Sequence, residues 1–300
     1  MTPSSRSGGQ NYKTIWKLGG LTLGELSRNV VRDALEDNLI GRASGLAFDF
    51  LLALFPLLVF LLTLFGLFAS RSIQLRTGLL SYFADFLPPL AFQLLKNTTE
   101  ELAKTASEEK LTIGVLLALW FASGGVASMI SSLNVAYRGK EARSWFQVRA
   151  IALGLTLVIS ILIFAALCIV LVGGLLIDWI GLELHLASTM VAIWKSLQWP
   201  AAALFVVFSY ALIYSCGPNA HRRRWYWITP GSAFGAFLWF AASAGFRIYL
   251  RFFNSYTTIY GSLGALIILV VWLYVAGLAF LIGGEINANI ERAAAENPSN

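Results

Sequence analysis

The feature that most constrains this chain is an apolar stretch at residues 44–69. From Phe50 to Ala69 the sequence has 20 consecutive residues without a charge. An α-helix rises about 1.5 Å per residue and the hydrocarbon core of a bilayer is about 30 Å thick, so a run of this length can cross it. The stretch therefore predicts a transmembrane helix.

Two residues distinguish this helix from a simple anchor. Asp49 places an acid at the start of the apolar run, and Pro56 lies in its interior. Proline removes a backbone hydrogen bond and bends the helix, and in lipid the freed carbonyl needs a partner from a neighbouring helix. Pro56 therefore predicts a packed kink in a bundle of several spans.

The composition agrees with a membrane protein. Hydrophobic residues make up 57% of the chain and charged residues 13%, whereas a soluble domain has about 25% charged residues. The two cysteines, Cys168 and Cys216, lie in apolar surroundings and are too few for a disulfide framework or a metal site. We predict no metal and no cofactor.

Five further apolar segments follow the first. The six predicted spans cover about residues 46–69, 111–136, 150–177, 191–215, 231–250 and 261–284. The fold class is therefore an all-α integral membrane protein. Its predicted parts are a disordered N-terminal tail (1–21), an amphipathic helix (22–42), a transmembrane domain (44–288) with a periplasmic helical hairpin (70–110), and a cytoplasmic tail (289–300).

The amphipathic helix at 22–42 is predicted to start at a capping box formed by Thr22 and Glu25. Its pattern sets Leu26, Val30 and Ala34 on one side, opposite Arg28, Arg32 and Asp33. Two interpretations fit this pattern equally well: a helix lying at the membrane surface, and a solvated helix packed on the bundle. In both, the chain turns towards the membrane at Gly41–Arg42.

The basic residues predict the orientation of the spans, because cytoplasmic segments of membrane proteins are enriched in lysine and arginine. If the N-terminus is cytoplasmic, the inner segments hold 14 Lys and Arg against 8 acids, and the outer segments hold 7 against 7. The whole net charge of +6 then faces the cytoplasm. We therefore expect both termini inside.

The sequence argues against nucleic-acid binding and catalysis. The basic and aromatic run at 221–227 resembles an RNA-binding patch, but a short cytoplasmic loop at a span boundary explains it better. The two histidines, His185 and His221, fall on opposite sides of the membrane, and the acids form no motif for metal or acid–base chemistry. We predict no nucleic-acid partner, no catalytic residue and no enzymatic activity.

Five motifs together resemble the YihY / virulence factor BrkB family of bacterial inner-membrane proteins, once labelled ribonuclease BN. They are SGLAFDFLLALFPLL, SSLNVAYRGKEARSW, ALIYSCGP, the spaced Arg247-Ile248-Tyr249, and YGSLGALIILVVWLYVAGLAFLIGGEINA. The resemblance covers about Leu26 to Ala288. It implies a six-span inner-membrane protein, some of whose relatives are linked to envelope lipid export, and a ribonuclease label that is a misassignment. Asp49 departs from the pattern, which has an uncharged residue there.

Polar groups at membrane depth are expensive in hydrocarbon and usually face the bundle interior, a partner or water. The candidates for a pathway or binding site are Asp49, Arg138, Arg143, Arg247, Glu285 and Asn287. Arg247 and Glu285 lie near span ends, where a side chain can instead extend to the interface. Asp49 can equally form a structural pair with Arg42 or a loop arginine.

A second group of residues is predicted to serve hinges and packing. Its members are Pro56, Gly124, Gly125, Asn134, Pro218, Gly231, Gly235, Tyr260, Gly261 and Trp272. Small residues allow helices to approach closely in a membrane, and the pair Gly231 and Gly235 permits a homodimer.

These observations predict a transporter-like protein that moves an anionic lipid or amphiphile, with membrane lipids as its partners. The alternative is a non-transporting scaffold that binds envelope proteins through the 70–110 hairpin. A membrane enzyme is the third hypothesis.

Overall fold

The structure, a computed structural model, describes residues 16–69, 108–173, 177, 188–219, 228–252 and 262–296. These residues form helices and connections, with no strand in the described ranges. The helices are α1 (Leu23–Glu36), α2 (Leu39–Ala69), α3 (Glu108–Ala136), α4 (Trp145–Leu167), α5 (Ser188–Cys216), α6 (Pro230–Phe252) and α7 (Ser262–Glu296). A short 3-10 helix at Leu18–Gly20 precedes α1, and a π-helical turn at Cys168–Val172 extends α4.

Four of these helices are long and apolar enough to cross a membrane by length and composition. The segments are Leu116–Ala136, Trp145–Val170, Thr189–Cys216 and Leu266–Glu296. The first and fifth predicted spans fall on α2 and α6, helices of 31 and 23 residues. An all-α membrane protein is thus confirmed, and the total of six spans stays a prediction. The predicted hairpin, apart from its last three residues, lies outside the described residues.

The chain enters α2 at a different point from the one predicted. The break between α1 and α2 lies at Asp37–Asn38, not at Gly41–Arg42, because Asn38 adopts a left-handed backbone conformation with φ of 50°. Asparagine tolerates this region, and its side-chain oxygen accepts a hydrogen bond from the Gly41 amide at 3.3 Å.

The C-terminal helix is longer than the sequence pattern predicts. The sequence pattern predicts a sixth span at 261–284 and a tail at 289–300, but α7 continues to Glu296. Ile290 is fully buried against Leu26 and Val30 of α1, which explains the extension. The preceding 3-10 helix also packs here: a Cβ on Gly19 would lie 2.6 Å from the Ile290 carbonyl oxygen. Residues 16–21, predicted as part of a disordered tail, therefore have a defined structure.

Helix α1 packs against α7, as the second interpretation of the N-terminal helix predicts. The capping box is present, with the Glu25 amide donating to the Thr22 hydroxyl at 3.3 Å. The buried side contains Asp33 as well as the apolar residues, so the prediction that Asp33 lies on the opposite side is wrong. Apolar side chains on another side of α1, including Val31 and Leu35, are exposed. Their contact with a membrane surface stays a prediction.

Contacts divide the chain into two compact units. Unit 1 comprises Met1–Leu51, Gly124–Leu155 and Val207–Asn300, and it contains every contact of the candidate site. Unit 2 comprises Leu52–Ser123 and Thr156–Val206. Within unit 2, the Trp194 indole donates to the Gly173 carbonyl at 3.1 Å.

In unit 1, α6 and α7 approach closely at small residues. A Cβ on Gly283 of α7 would lie 2.7 Å from the Gly231 carbonyl oxygen and 2.9 Å from the Gly235 Cα. The Tyr214 hydroxyl crosses from α5 and donates to the Phe280 carbonyl at 2.5 Å. The predicted glycine pair, Gly231 and Gly235, therefore packs against α7 of the same chain. A homodimer stays a prediction and would need another surface.

Candidate functional site

A group of charged residues in unit 1 is centred on Asp33, whose side chain is 1% exposed. Its carboxylate accepts from Arg292 at 2.5 Å and from Asn289 at 3.2 Å, both on α7. Arg138, which follows α3, and the neighbouring Arg32 reach the other oxygen at 3.5 and 3.3 Å. Asp33 thus joins α1, α7 and the end of α3 at one point.

Electrostatics favour the ionised form of Asp33. Burial acts to raise its pKa, but the charge of Arg292 and the hydrogen bonds from Asn289 and Arg292 outweigh burial and hold that pKa below its ordinary value. Asp33 is therefore a fully partnered anion that stabilises the α1–α7 contact.

Glu285 lies one turn before Asn289 on α7 and is completely buried. In the described part of the chain, neither of its carboxylate oxygens has a hydrogen-bond donor. The charges that act on it belong to Asp37, Arg292 and Asp33. We call Asp33, Asp37, Tyr137, Glu285 and Arg292 the acid cluster. Two acids in one cluster thus have opposite surroundings, since Asp33 is saturated with donors and Glu285 has none.

Tyr137, the residue that follows α3, is the member of the acid cluster that α3 positions. Its hydroxyl is buried beside Glu291 and Asn287, and among the described residues it has no hydrogen bond of good geometry. Burial, followed by the nearby charge of Glu291, raises the pKa of this hydroxyl well above its ordinary value. Tyr137 is therefore a neutral group in the cluster.

Asn287 holds the start of α6 in place. Its side-chain oxygen accepts from the Gly231 amide at 2.9 Å, and its amide donates to the Thr229 hydroxyl at 2.7 Å. The Ser232 amide also donates to the Thr229 hydroxyl, at 3.2 Å. Because the first amides of a helix lack partners within the helix, this arrangement satisfies α6 at its N-terminus. The contacts of Asn287 are those of a capping residue.

Arg143 and Asn134 belong to a second group of polar contacts, which we call the loop clamp. Its members are Asn134, Glu141, Arg143, Gly217 and Asn219. Arg143 donates to both oxygens of Glu141 at 2.7 Å and to the Gly217 carbonyl at 2.9 Å. Asn134 donates to Glu141 at 2.7 Å and accepts from the Asn219 amide at 2.7 Å. The clamp thereby fastens the α3–α4 connection to the end of α5.

The hydrogen bonds of the Arg143 side chain lower the pKa of Glu141 to about 2. The side chain of Arg143 is therefore engaged in contacts within the chain.

Pro218, predicted as a packing residue, is buried next to the clamp.

Among the described residues, the hydrogen-bond partner of Asp49 is a hydroxyl and not a basic side chain. It is half-buried, and it accepts a short hydrogen bond from Ser128 of α3. Arg42, its predicted partner, instead donates to the Asp37 carbonyl at 2.9 Å. The expected pair between Asp49 and Arg42 is not observed.

Arg247 lies apart from the acid cluster. It follows Gly231 by 16 residues on α6, which corresponds to about 24 Å along the helix axis. Its side chain is exposed, and it forms no ion pair with any residue that the structure describes.

The remaining packing candidates have varied surroundings. Pro56 lies inside α2 and is half-buried, Gly125 is buried in α3, and a Cβ on Gly124 would meet no atom within 4 Å. The Trp272 indole donates to the Ser243 hydroxyl at 3.3 Å. Tyr260 and Gly261 lie outside the described residues.

Sequence reasoning missed Asp33, Asn289 and Arg292. The signal was present as spacing: Asp33 follows Val30 by three residues, and Asn289 and Arg292 follow Glu285 by four and seven. These intervals place residues on one face of a helix. In the described ranges, no group of three His, Cys, Asp or Glu side chains is arranged to hold a metal ion.

Length, hydropathy and helical structure define an all-α integral membrane protein. The chain belongs to the virulence factor BrkB family, since the model of that family matches residues 30–300. This confirms the family indicated by the sequence motifs.

Curated relatives cover most of the chain. It is 30% identical over 256 residues to YfkH of Bacillus subtilis, named as ribonuclease-like, with 84% of this chain and 90% of YfkH covered. It is 27% identical over 264 residues to a UPF0761 membrane protein of Tolumonas auensis, covering 86% and 83% of the two chains. A UPF0761 membrane protein of Aeromonas salmonicida is 27% identical over 258 residues, covering 84% of each. No solved structure matches the chain.

Proposed function

We propose that this chain is a transporter-like protein of the bacterial inner membrane that moves an anionic lipid or amphiphile, with both termini in the cytoplasm. The observation that carries the proposal is Asp49. It is a half-buried acid within an apolar helix, and among the described residues it accepts a hydrogen bond from the Ser128 hydroxyl. Ionisable residues at membrane depth commonly mark substrate or ion pathways.

Two exposed arginines support an anionic substrate. Arg138 has 58% of its side chain exposed, and the ion pair it forms with a described residue is the one to Asp33 at 3.5 Å. Arg247 is exposed near the other end of α6. Guanidinium groups bind phosphate oxygens through two parallel hydrogen bonds. Arg143, in contrast, has its donors engaged in the loop clamp and is not part of the proposed pathway.

The two arginines fit opposite ends of a membrane pathway. Arg138 follows Tyr137, which lies beside Asn287, and Asn287 binds the start of α6. The rise of α6 from Gly231 to Arg247 is about 24 Å, close to the thickness of a bilayer core of about 30 Å. An anionic headgroup would therefore meet a cationic group on each side.

The test uses purified protein in vesicles with fluorescent lipids and a membrane-impermeant quencher. Asp49→Asn and Arg247→Ala are each expected to reduce protein-dependent movement of an anionic lipid at least tenfold. The matched controls are Glu36→Gln and Arg28→Ala, which change exposed charges on α1 and should leave movement unchanged. Gel filtration of each variant verifies folding.

Full movement in both Asp49→Asn and Arg247→Ala would contradict the proposed pathway. Absence of movement in the wild type would contradict transport itself. The scaffold hypothesis would then be tested by deleting the tip of the 70–110 hairpin and measuring cross-links to envelope proteins.

A further inference from the structure

The acid cluster contains a buried carboxyl group, that of Glu285, whose surroundings do not fit an ionised state. Glu285 is completely buried, and in the described ranges both of its oxygens lack a donor. An ionised carboxylate removed from water without hydrogen bonds is strongly disfavoured, so such a group normally becomes neutral. A protonated Glu285 therefore fits these surroundings better than an ionised one.

The helix register brings a second carboxylate to Glu285. Asp33 meets Asn289, and a Cβ on Gly277 would lie 3.5 Å from the Ala43 carbonyl oxygen. The segment 33–43 therefore runs antiparallel to 277–289. Asp37 lies one turn after Asp33, and Glu285 lies one turn before Asn289, so the two acids face each other across this contact. Asp37 accordingly supplies the first of the charges that act on Glu285.

The positive charges nearby do not neutralise this pair directly. Arg292 donates to Asp33, while its Nη1 is buried without a partner among the described residues. Arg42 donates to the backbone carbonyl of Asp37. Tyr137, the residue that follows α3, contributes a neutral hydroxyl to this cluster. Asp33, Asp37, Arg292 and Tyr137 are thus the titratable or charged groups that face Glu285.

We propose that Glu285 and Asp37 form a proton-binding site in which the two carboxyl groups hold one proton between them. A carboxylate can only accept hydrogen bonds, and a proton shared with Asp37 supplies the donor that the buried Glu285 lacks. The proton site lies at the cytoplasmic end assigned to α7 in the proposed function. At that end of α7, the bound proton would be the ion whose movement is coupled to transport. Only this coupling rests on the proposed function.

The test measures protonation directly and needs no transport. Infrared spectra of the protein in lipid nanodiscs at pH 7 should contain the C=O band of a protonated carboxyl group, shifted in D₂O. Glu285→Gln should remove one component of the band. That component should be retained in Glu141→Gln, since Glu141 is an ionised acid of the loop clamp, and in Glu291→Gln, since Glu291 lies beside Tyr137. In Asp37→Asn the band should disappear at a lower pH than in the wild type, because the neighbouring negative charge is absent.

A wild-type spectrum without the band, or a band that is unchanged in Glu285→Gln, would overturn the inference. If Glu285→Gln yields too little protein for a spectrum, the shift in Asp37→Asn decides the question, and an unchanged titration there also overturns it. A missing band with intact lipid movement refutes the proton site alone. A band without any lipid movement refutes the proposed function alone.

Discussion

The loop clamp and the acid cluster lie in the same unit and use their acids in opposite ways. In the loop clamp, Glu141 accepts from Arg143 and Asn134, and its pKa falls to about 2. In the acid cluster, Glu285 is more deeply buried and yet has no donor among the described residues. The comparison teaches that burial of an acid alone does not identify its role. The donors around the acid separate a structural anion from a site that binds a proton.

The largest expected effect is that of Asp33→Asn. The change leaves Arg292 and Arg138 without their shared anion inside the α1–α7 contact. We expect a loss of about 3 kcal/mol in the free energy of unfolding, as for a broken buried ion pair. Denaturant unfolding in detergent, followed by tryptophan fluorescence, measures it. The control Arg32→Ala removes a partner that is 58% exposed and should lose less than about 1 kcal/mol. Equal losses would show that Asp33 is not the centre of the cluster.

Glu141→Gln should give an intermediate effect that depends on pH. The folded pKa of Glu141, about 2, is depressed from its ordinary value of 4.5. The contribution of Glu141 to the free energy of unfolding is therefore present above pH 4.5 and is lost as the pH falls towards 2. At pH 7 the variant should lose about 1 kcal/mol. The difference from the wild type, measured by thermal unfolding, should vanish near pH 2. A difference that is constant between pH 7 and pH 3 would contradict this assignment.

Glu285→Gln should give the smallest effect on stability. If Glu285 carries a proton, the neutral amide replaces a neutral acid and can donate to Asp37 in its place. We expect a change within about 0.5 kcal/mol at pH 7. Unfolding under the conditions used for Asp33→Asn provides the comparison. A loss as large as that of Asp33→Asn would mean that Glu285 is an ionised partner of Arg292.

The sequence predicted the apolar helices because length and hydropathy depend on local composition. It predicted the capping box at Thr22 and Glu25 for the same reason. The clearest error concerns Asp33, which its charge placed on the exposed side of α1. Its true partners, Asn289 and Arg292, are more than 250 residues away. A single sequence carries no signal for such a contact, although the spacing of Asp33 after Val30 marks it as part of the buried face.

The candidate site was predicted only in part. Glu285 and Arg138 were named from membrane depth and charge, and both belong to or contact the acid cluster. Arg143 was named on the same grounds but is engaged by Glu141, two residues before it. Charge shows that a side chain needs a partner, and only the folded chain shows whether the partner is already present.

The most direct test of the central claim is the headgroup selectivity of lipid movement by the wild-type protein in vesicles. Fluorescent lipids with the same acyl chains and either an anionic or a zwitterionic headgroup are compared, with protein-free vesicles as the baseline. The account predicts protein-dependent movement of the anionic lipid at least tenfold faster than that of the zwitterionic one. Equal rates for the two lipids, or rates no faster than in protein-free vesicles, would contradict it.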